Sequence, residues 1–250
     1  MPNSTSTSNA EQPPPAAEYF SATRTKILFN VTGTSARPVI NLTIRGLEIR
    51  DTALTYYGND QASKHSMPTG GDWALERAGA VLLEGTELAT VSQCLFERLD
   101  GNGIFLSNWN RNTSLARNEF AWIGGSAMAA WGSTGKCLDA ECTRKLQWAV
   151  GPDARGGQQP RYTRVVGNLV REVGLIQKQS SAWFQAATAF SHLEGNVHFN
   201  GPRAGVNFND WMVGGDVLEG NLLANCVREV RQSHLPKSGQ PSLWNIIHHN

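Results

Sequence analysis

Short runs with apolar residues at every second position recur along the chain, each flanked by Gly or Asn: "GIFLSNW", "SAMAAWG", "SAWFQAA" and "AGVNFND". Other short runs follow a Gly-Asn pair, in "GNLVREVG", "GNVHFNGP" and "GNLLANCV". Alternation of this kind over about four to eight residues marks half-buried strands, and no segment carries the 3.6-residue period of a long amphipathic helix.

The Asn residues set a repeat. Asn168, Asn196, Asn221 and Asn250 follow at spacings of 28, 25 and 29, and Asn118 stands 50 residues before Asn168, which reads as two periods. Cys94 fills the same slot 24 residues earlier, and Gly46 fills it 48 before that. A fixed period of about 25 residues, with two or three short strands in each, predicts an all-β fold: a single-stranded parallel β-helix, or solenoid. At an inward turn, a slot Asn can tolerate left-handed backbone and hydrogen-bond its counterparts above and below. An antiparallel sandwich would also show short strands, whereas a propeller would need blades of about 40 residues.

Two stretches interrupt the repeat, at 56–73 and 132–164, and are read as long loops able to wall a groove. Residues 1–22 are polar and Pro-rich, lack the apolar centre of a signal peptide, and read as a disordered leader or linker. The β-helix domain is placed at 23–250 and ends at a slot without a cap, as in a truncated or incomplete C-terminal end.

Composition narrows the function classes. The 250 residues are 40% hydrophobic, enough for one sizeable core. A net charge of +1 with no Lys/Arg-rich run argues against a nucleic-acid partner, and no apolar run reaches the roughly 18 residues of a membrane span. Glycosylation sequons at Asn3, Asn30, Asn41 and Asn112 fit an extracellular or cell-surface chain. Cys137 and Cys142 bracket a polar loop and form a disulfide candidate, while Cys94 and Cys226 read as small buried hydrophobes. No Cys/His spacing suits zinc, and His248-His249 lack converging partners, so neither a metal nor a cofactor is expected.

From about residue 40 onward the chain resembles the right-handed parallel β-helix repeat proteins of the pectin-lyase-like superfamily. The likeness is strongest over 162–229, which includes "GLIQKQSSAWFQAATAFSHLEGNVHFNGPRAGVNFNDWMVGGDVLEGNLLANCVRE". The resemblance implies right-handed winding and a carbohydrate-related role, since that superfamily holds polysaccharide lyases, glycoside hydrolases, epimerases and noncatalytic adhesins. It departs after Glu229, where "VRQSHLPKSGQPSLWNIIHHN" replaces the Gly/Pro/Asn-rich segment and Ser-Trp-Asp-Arg-like run of similar proteins.

With a step of 24 residues between coils, Asn207 and Asn209 lie over Trp183 and Gln185, Asp210 over Ala186, and His234 over Asp210. Aromatic and amide side chains on adjacent coils suit a polysaccharide or oligosaccharide, stacking on its C–H faces and binding its hydroxyls. Alternation in "VNFND" turns Val206 and Phe208 inward, which would equally leave Asn207 and Asn209 merely facing water. Asp210 and Glu229 are the candidate catalytic carboxylates. One coil apart they would be separated by about 5 Å, near a retaining glycosidase's spacing, and two coils apart by about 9–10 Å, near an inverting one's. His234 is a candidate acid or base. Arg203, Lys178 and Arg228 are candidate substrate ligands, and Lys178 or Arg203 could instead serve a lyase by neutralising a uronate. Asp216 reads as a turn residue, and Trp131 and Trp148 as sugar platforms. Three readings stand: a glycoside hydrolase-like protein, a polysaccharide lyase, and a noncatalytic structural or adhesive β-helix.

Overall fold

The computed structural model describes residues 23–55, 77–132, 158–209 and 214–226, and the backbone of 246–247. All the regular structure among them is β-strand, in three parallel sheets of eight, seven and six strands. The chain visits the sheets in turn. A typical circuit runs through Ile104–Arg111 in the first sheet, Ser114–Ala116 in the second and Glu119–Ile123 in the third, then returns to the first at Met128–Trp131. Each strand therefore pairs with its counterpart one circuit away, which is the connectivity of a β-helix-like solenoid. No helix among the described residues is long and apolar enough to cross a membrane.

The short strands explain how so little apolar sequence closes a core. In the second sheet each three-residue strand turns only its middle side chain inward, giving the column Ile44, Val91, Leu115, Val165, Leu193 and Leu218. The third sheet contributes Ile49, Phe96, Phe120 and Val170, with the Phe96 and Phe120 rings stacked 4.7 Å apart. Each such buried side chain stabilises the fold by roughly 1.5–3 kcal/mol. His198 continues this column beyond Val170, buried among apolar neighbours with Nδ1 3.1 Å from the Val170 carbonyl.

The Asn ladder is present. Asn118 Nδ2 donates to Asn168 Oδ1 at 3.1 Å, Asn168 Nδ2 to Asn196 Oδ1 at 2.9 Å, and Asn196 Nδ2 to Asn221 Oδ1 at 2.8 Å. Each of those oxygens also accepts the backbone N–H of the Asn one circuit earlier, and Asn118 Oδ1 accepts that of Cys94. The left-handed backbone expected at the slot belongs instead to the residue before it: Gly46, Gln93, Arg117, Gly167, Gly195 and Gly220 all have positive φ. Gly46 accordingly sits one place before the slot. Asn41 and Asn112 hold left-handed positions at another corner and are followed two residues later by outward Thr43 and Ser114, so these two sequons have a structural cause.

Direct bonding between Asn118 and Asn168 corrects the count of periods, because their 50-residue separation is one circuit and not two. The extra chain leaves the first sheet after Trp131 and returns at Pro160–Arg161, which pairs with the far half of the strand that Met128–Trp131 pairs with. The loop thus closes before its expected end at 164, since Arg164–Val166 is already a strand. The same holds for the 48-residue step, where Glu48 pairs directly with Leu95. Each insertion is about as long as one repeat, so it mimics an additional coil in the sequence.

Gly85 marks a register shift within Val81–Glu87. Before it the strand pairs with Phe29–Thr32, and after it with Val39–Ile40. Gly85 has φ +62°, and a Cβ there would lie 2.1 Å from the carbonyl carbon of Gly33. Gly85→Ala is expected to cost about 2–3 kcal/mol, combining left-handed strain with overpacking against backbone. Urea unfolding measures this, and a change below about 0.5 kcal/mol would mean that the turn at Gly33 yields freely.

Candidate functional site

Alternation along the first sheet sends one set of side chains into the core and the other to its outer face. In the outer set Leu82, Phe105, Ala129, Phe184 and Asn207 occupy one register position on successive strands. Phe105, Ala129, Phe184 and Ala186 form a second buried apolar cluster, with Leu82 and Trp131 packed against it. Arg77 lies over this face. Its Nη1 donates to Ser107 Oγ at 2.9 Å and to the Trp131 carbonyl at 2.7 Å, while its guanidinium stands 4.2 Å from the Trp131 ring centre. Burial lowers the Arg77 pKa to about 10, partly opposed by Glu84, so the group remains cationic at neutral pH. Trp131 therefore stacks on a guanidinium in this structure.

Asn207 is the polar member of an apolar column, and it is buried rather than solvated, with 6% of its surface exposed. Its Nδ2 makes no hydrogen bond among the described residues. A buried amide donor left unsatisfied costs about 1–3 kcal/mol, so this arrangement works against stability. Asn209 is also buried, its backbone N–H donating to the Gln185 carbonyl at 2.8 Å, and Arg203 lies buried immediately before the strand Ala204–Phe208. These three side chains are not an ordinary solvated strand edge, while Val206 and Phe208 do face the core.

Trp183 and Gln185 do not share that face. Trp183 pairs with Val206 and Gln185 with Phe208, both core positions, so the circuit here is one residue shorter than the assumed 24. A slip of one residue moves a whole strand's side chains to the opposite face. Inside the solenoid, Trp183 Nε1 donates to Gln185 Oε1 at 2.7 Å and Gln185 Nε2 to Asp216 Oδ2 at 3.1 Å. Asp216 Oδ1 accepts the Ser191 N–H at 2.6 Å. Burial pushes the Asp216 carboxyl up to about 7, against the opposing effect of its Ser191 and Gln185 hydrogen bonds. Asp216 is thus the anchor of an internal polar chain, more than a turn residue.

Lys178 is exposed in the bend before Ser181–Ala186. Asp210, Arg228, Glu229 and His234 lie outside the described residues, as do Cys137, Cys142, Trp148 and His248-His249. Cys94 is a buried free thiol and Cys226 a half-buried one.

On the second sheet's outer face, His192, Glu194 and Glu219 bring their ligand atoms within 4.8 Å of one another, the one such group of potential metal ligands among the described residues. His192 Nε2 is 2.7 Å from Glu219 Oε1, and Glu194 also pairs with Arg164 at 3.4 Å. The sequence reading missed this group and the Arg77–Trp131 stack. Glu194 and Glu219 sit at matching places in "HLEGN" and "VLEGN", which was the available signal for the first. Nothing local to Arg77 announced the second.

No family model matches the chain, and no curated protein matches it by sequence. A solved structure described as a glycoside hydrolase is similar in fold, with a TM-score of 0.55 and 14% sequence identity. The likeness covers 79% of this chain and 39% of that one, so the chain spans about two fifths of that protein's length.

Proposed function

We propose that the chain is the β-helical part of a carbohydrate-active, glycoside hydrolase-like protein, wound right-handed in the manner of the pectin-lyase-like superfamily, that takes a polysaccharide along the outer face of its first sheet. The observation that carries this reading is the buried Asn207 amide, unsatisfied among the described residues and paired in register with Phe184, with buried Arg203 and Asn209 at the two ends of its strand. A sugar hydroxyl would supply the missing acceptor. Arg203 would hold a hydroxyl or an acidic sugar's carboxylate. Asp210 and Glu229 remain the proposed carboxylates for acid–base or nucleophilic chemistry, with His234 as a further acid or base. The second reading, a noncatalytic structural β-helix, is favoured by the inward placement of Trp183 and Gln185, which leaves fewer groups for a ligand.

A panel of polysaccharides incubated with the protein tests the reading. New reducing ends without the ultraviolet absorbance of an unsaturated uronate indicate hydrolysis; that absorbance indicates a lyase, for which Lys178 or Arg203 would neutralise the uronate. No product and no binding from any glycan overturns the proposal in favour of the structural β-helix. Asn207→Ala is expected to weaken glycan binding or kcat/KM about tenfold or more, while changing unfolding free energy by less than about 1 kcal/mol, because its Nδ2 gives up no protein hydrogen bond. Unchanged binding with a large loss of stability would reverse the assignment.

A further inference from the structure

The second sheet carries a separate surface. Because its strands turn only their middle residue inward, each circuit presents two outward side chains. Thr43, Thr90, Ser92 and Ser114 place hydroxyls along a groove of about 610 Å³. Arg45, Arg117 and Arg164 supply three guanidiniums to the same groove, and none of the described residues that line it carries a carboxylate. Arg45 Nε donates to Gln93 Oε1 at 2.6 Å, so it is oriented by a neutral partner that leaves its charge uncompensated. Arg117 is exposed in the corner before the Asn ladder; its backbone N–H donates to the Val166 carbonyl at 2.9 Å, and its guanidinium makes no hydrogen bond or ion pair among the described residues. Arg164 closes the run, its 3.4 Å contact with Glu194 marking where the face turns acidic at Glu194 and Glu219.

We propose that this groove binds an acidic glycan, whose carboxylates or sulfates meet Arg45, Arg117 and Arg164 while its hydroxyls meet the Thr and Ser column. Successive coils are about 4.8 Å apart, close to the length of one pyranose along an extended chain, so each coil can address one sugar. The occupied length is short. It runs from the strand Thr43–Arg45 to Arg164–Val166, three strand steps or about 14 Å, and ends where Glu194 and Glu219 repel the next anionic group. Guanidinium forks suit carboxylate and sulfate oxygens, and the neutral hydroxyls add orientation. A single-stranded nucleic acid fits less well, because none of the described residues that line the groove is an aromatic one able to stack its bases. This surface lies on a different sheet from the Asn207 site and does not depend on it.

The test is titration of the full chain with a short oligogalacturonide, its methyl-esterified form, a sulfated oligosaccharide and an oligothymidylate. The proposal expects the oligogalacturonide or the sulfated oligosaccharide to bind at least about tenfold more tightly than the uncharged ester, and more weakly as salt rises. The tighter of the two identifies the acidic group. Arg117→Glu, at an exposed position whose side chain has no partner to lose among the described residues, is expected to weaken that binding about tenfold or more, with unfolding unchanged. Equal affinity for the ester, indifference to Arg117→Glu, or an oligothymidylate bound as tightly as the sugar would each overturn the proposal. Loss through Asn207→Ala in place of Arg117→Glu would assign the binding to the first sheet instead.

Discussion

Asn168→Ala is expected to lower the free energy of unfolding by about 3–5 kcal/mol, among the largest losses available to a single polar substitution. Asn168 Oδ1 accepts both the N–H and the Nδ2 of Asn118, and Asn168 Nδ2 donates to the Leu115 carbonyl and to Asn196 Oδ1. Truncation leaves the buried Asn118 N–H without its acceptor, removes one of two bonds from Asn118 Nδ2 and from Asn196 Oδ1, and takes the side-chain donor from the Leu115 carbonyl, an unsatisfied buried group costing about 1–3 kcal/mol before relaxation or entry of water. The ladder also joins the second sheet to the third, so the loss falls on contacts between circuits as well as within one. Equilibrium urea denaturation with an unchanged m-value is the measurement. A loss under about 1 kcal/mol would mean that the ladder merely accompanies hydrophobic closure and does not hold the circuits in register.

Asp216→Asn is expected to change the pH dependence of stability more than any other single replacement in the described core. Burial raises the Asp216 carboxyl from 3.8 to about 7, so the folded protein keeps a proton that the unfolded chain has released. That contribution is full below about pH 4 and is lost as pH rises through 7, a change of about 4 kcal/mol. His198 acts in the opposite direction. Burial lowers its imidazole from 6.5 to about 4, so its contribution is full above about pH 6.5 and is lost as pH falls through 4, a change of about 3 kcal/mol. Between about pH 4 and 6.5 the two nearly cancel in the wild-type protein.

Removing the Asp216 titration uncovers the slope of His198. The Asp216→Asn variant should gain about 2–3 kcal/mol between about pH 4.5 and 6.5 relative to the wild-type profile. Exposed carboxylates titrate alike in both proteins and drop out of the difference. The slope is the readout, since the replacement also alters the Gln185 and Ser191 hydrogen bonds at every pH. Parallel profiles for the two proteins would show that Asp216 does not hold its proton in the folded state.

The repeat and its slot were legible because each rests on local chemistry. A single inward residue per short strand, Gly at a left-handed corner and Asn in the place after it are choices that individual positions reveal. The ladder could be anticipated for the same reason, since an amide at one slot has only the next slot's amide as a regular partner. The face of Trp183 and Gln185 was not legible. It depends on whether the circuit between Trp183 and Val206 holds 23 or 24 residues, and a corner can absorb one residue without any local mark. The excursion between Trp131 and Pro160 was legible as an interruption, but the step from Asn118 to Asn168 was still counted as two periods, because the inserted length nearly equals a repeat.

By itself the sequence determined the class of architecture, the inward columns and the Asn slots, because strand period and turn chemistry are written within a few residues of each other. Only the tertiary structure decided which polar groups meet. It placed Trp183, Gln185 and Asp216 together inside the solenoid, left the Asn207 amide unsatisfied on the outer face of the first sheet, and aligned Arg45, Arg117 and Arg164 along the second. Those meetings depend on the register between circuits, which is set by the lengths of corners and insertions far from the side chains concerned.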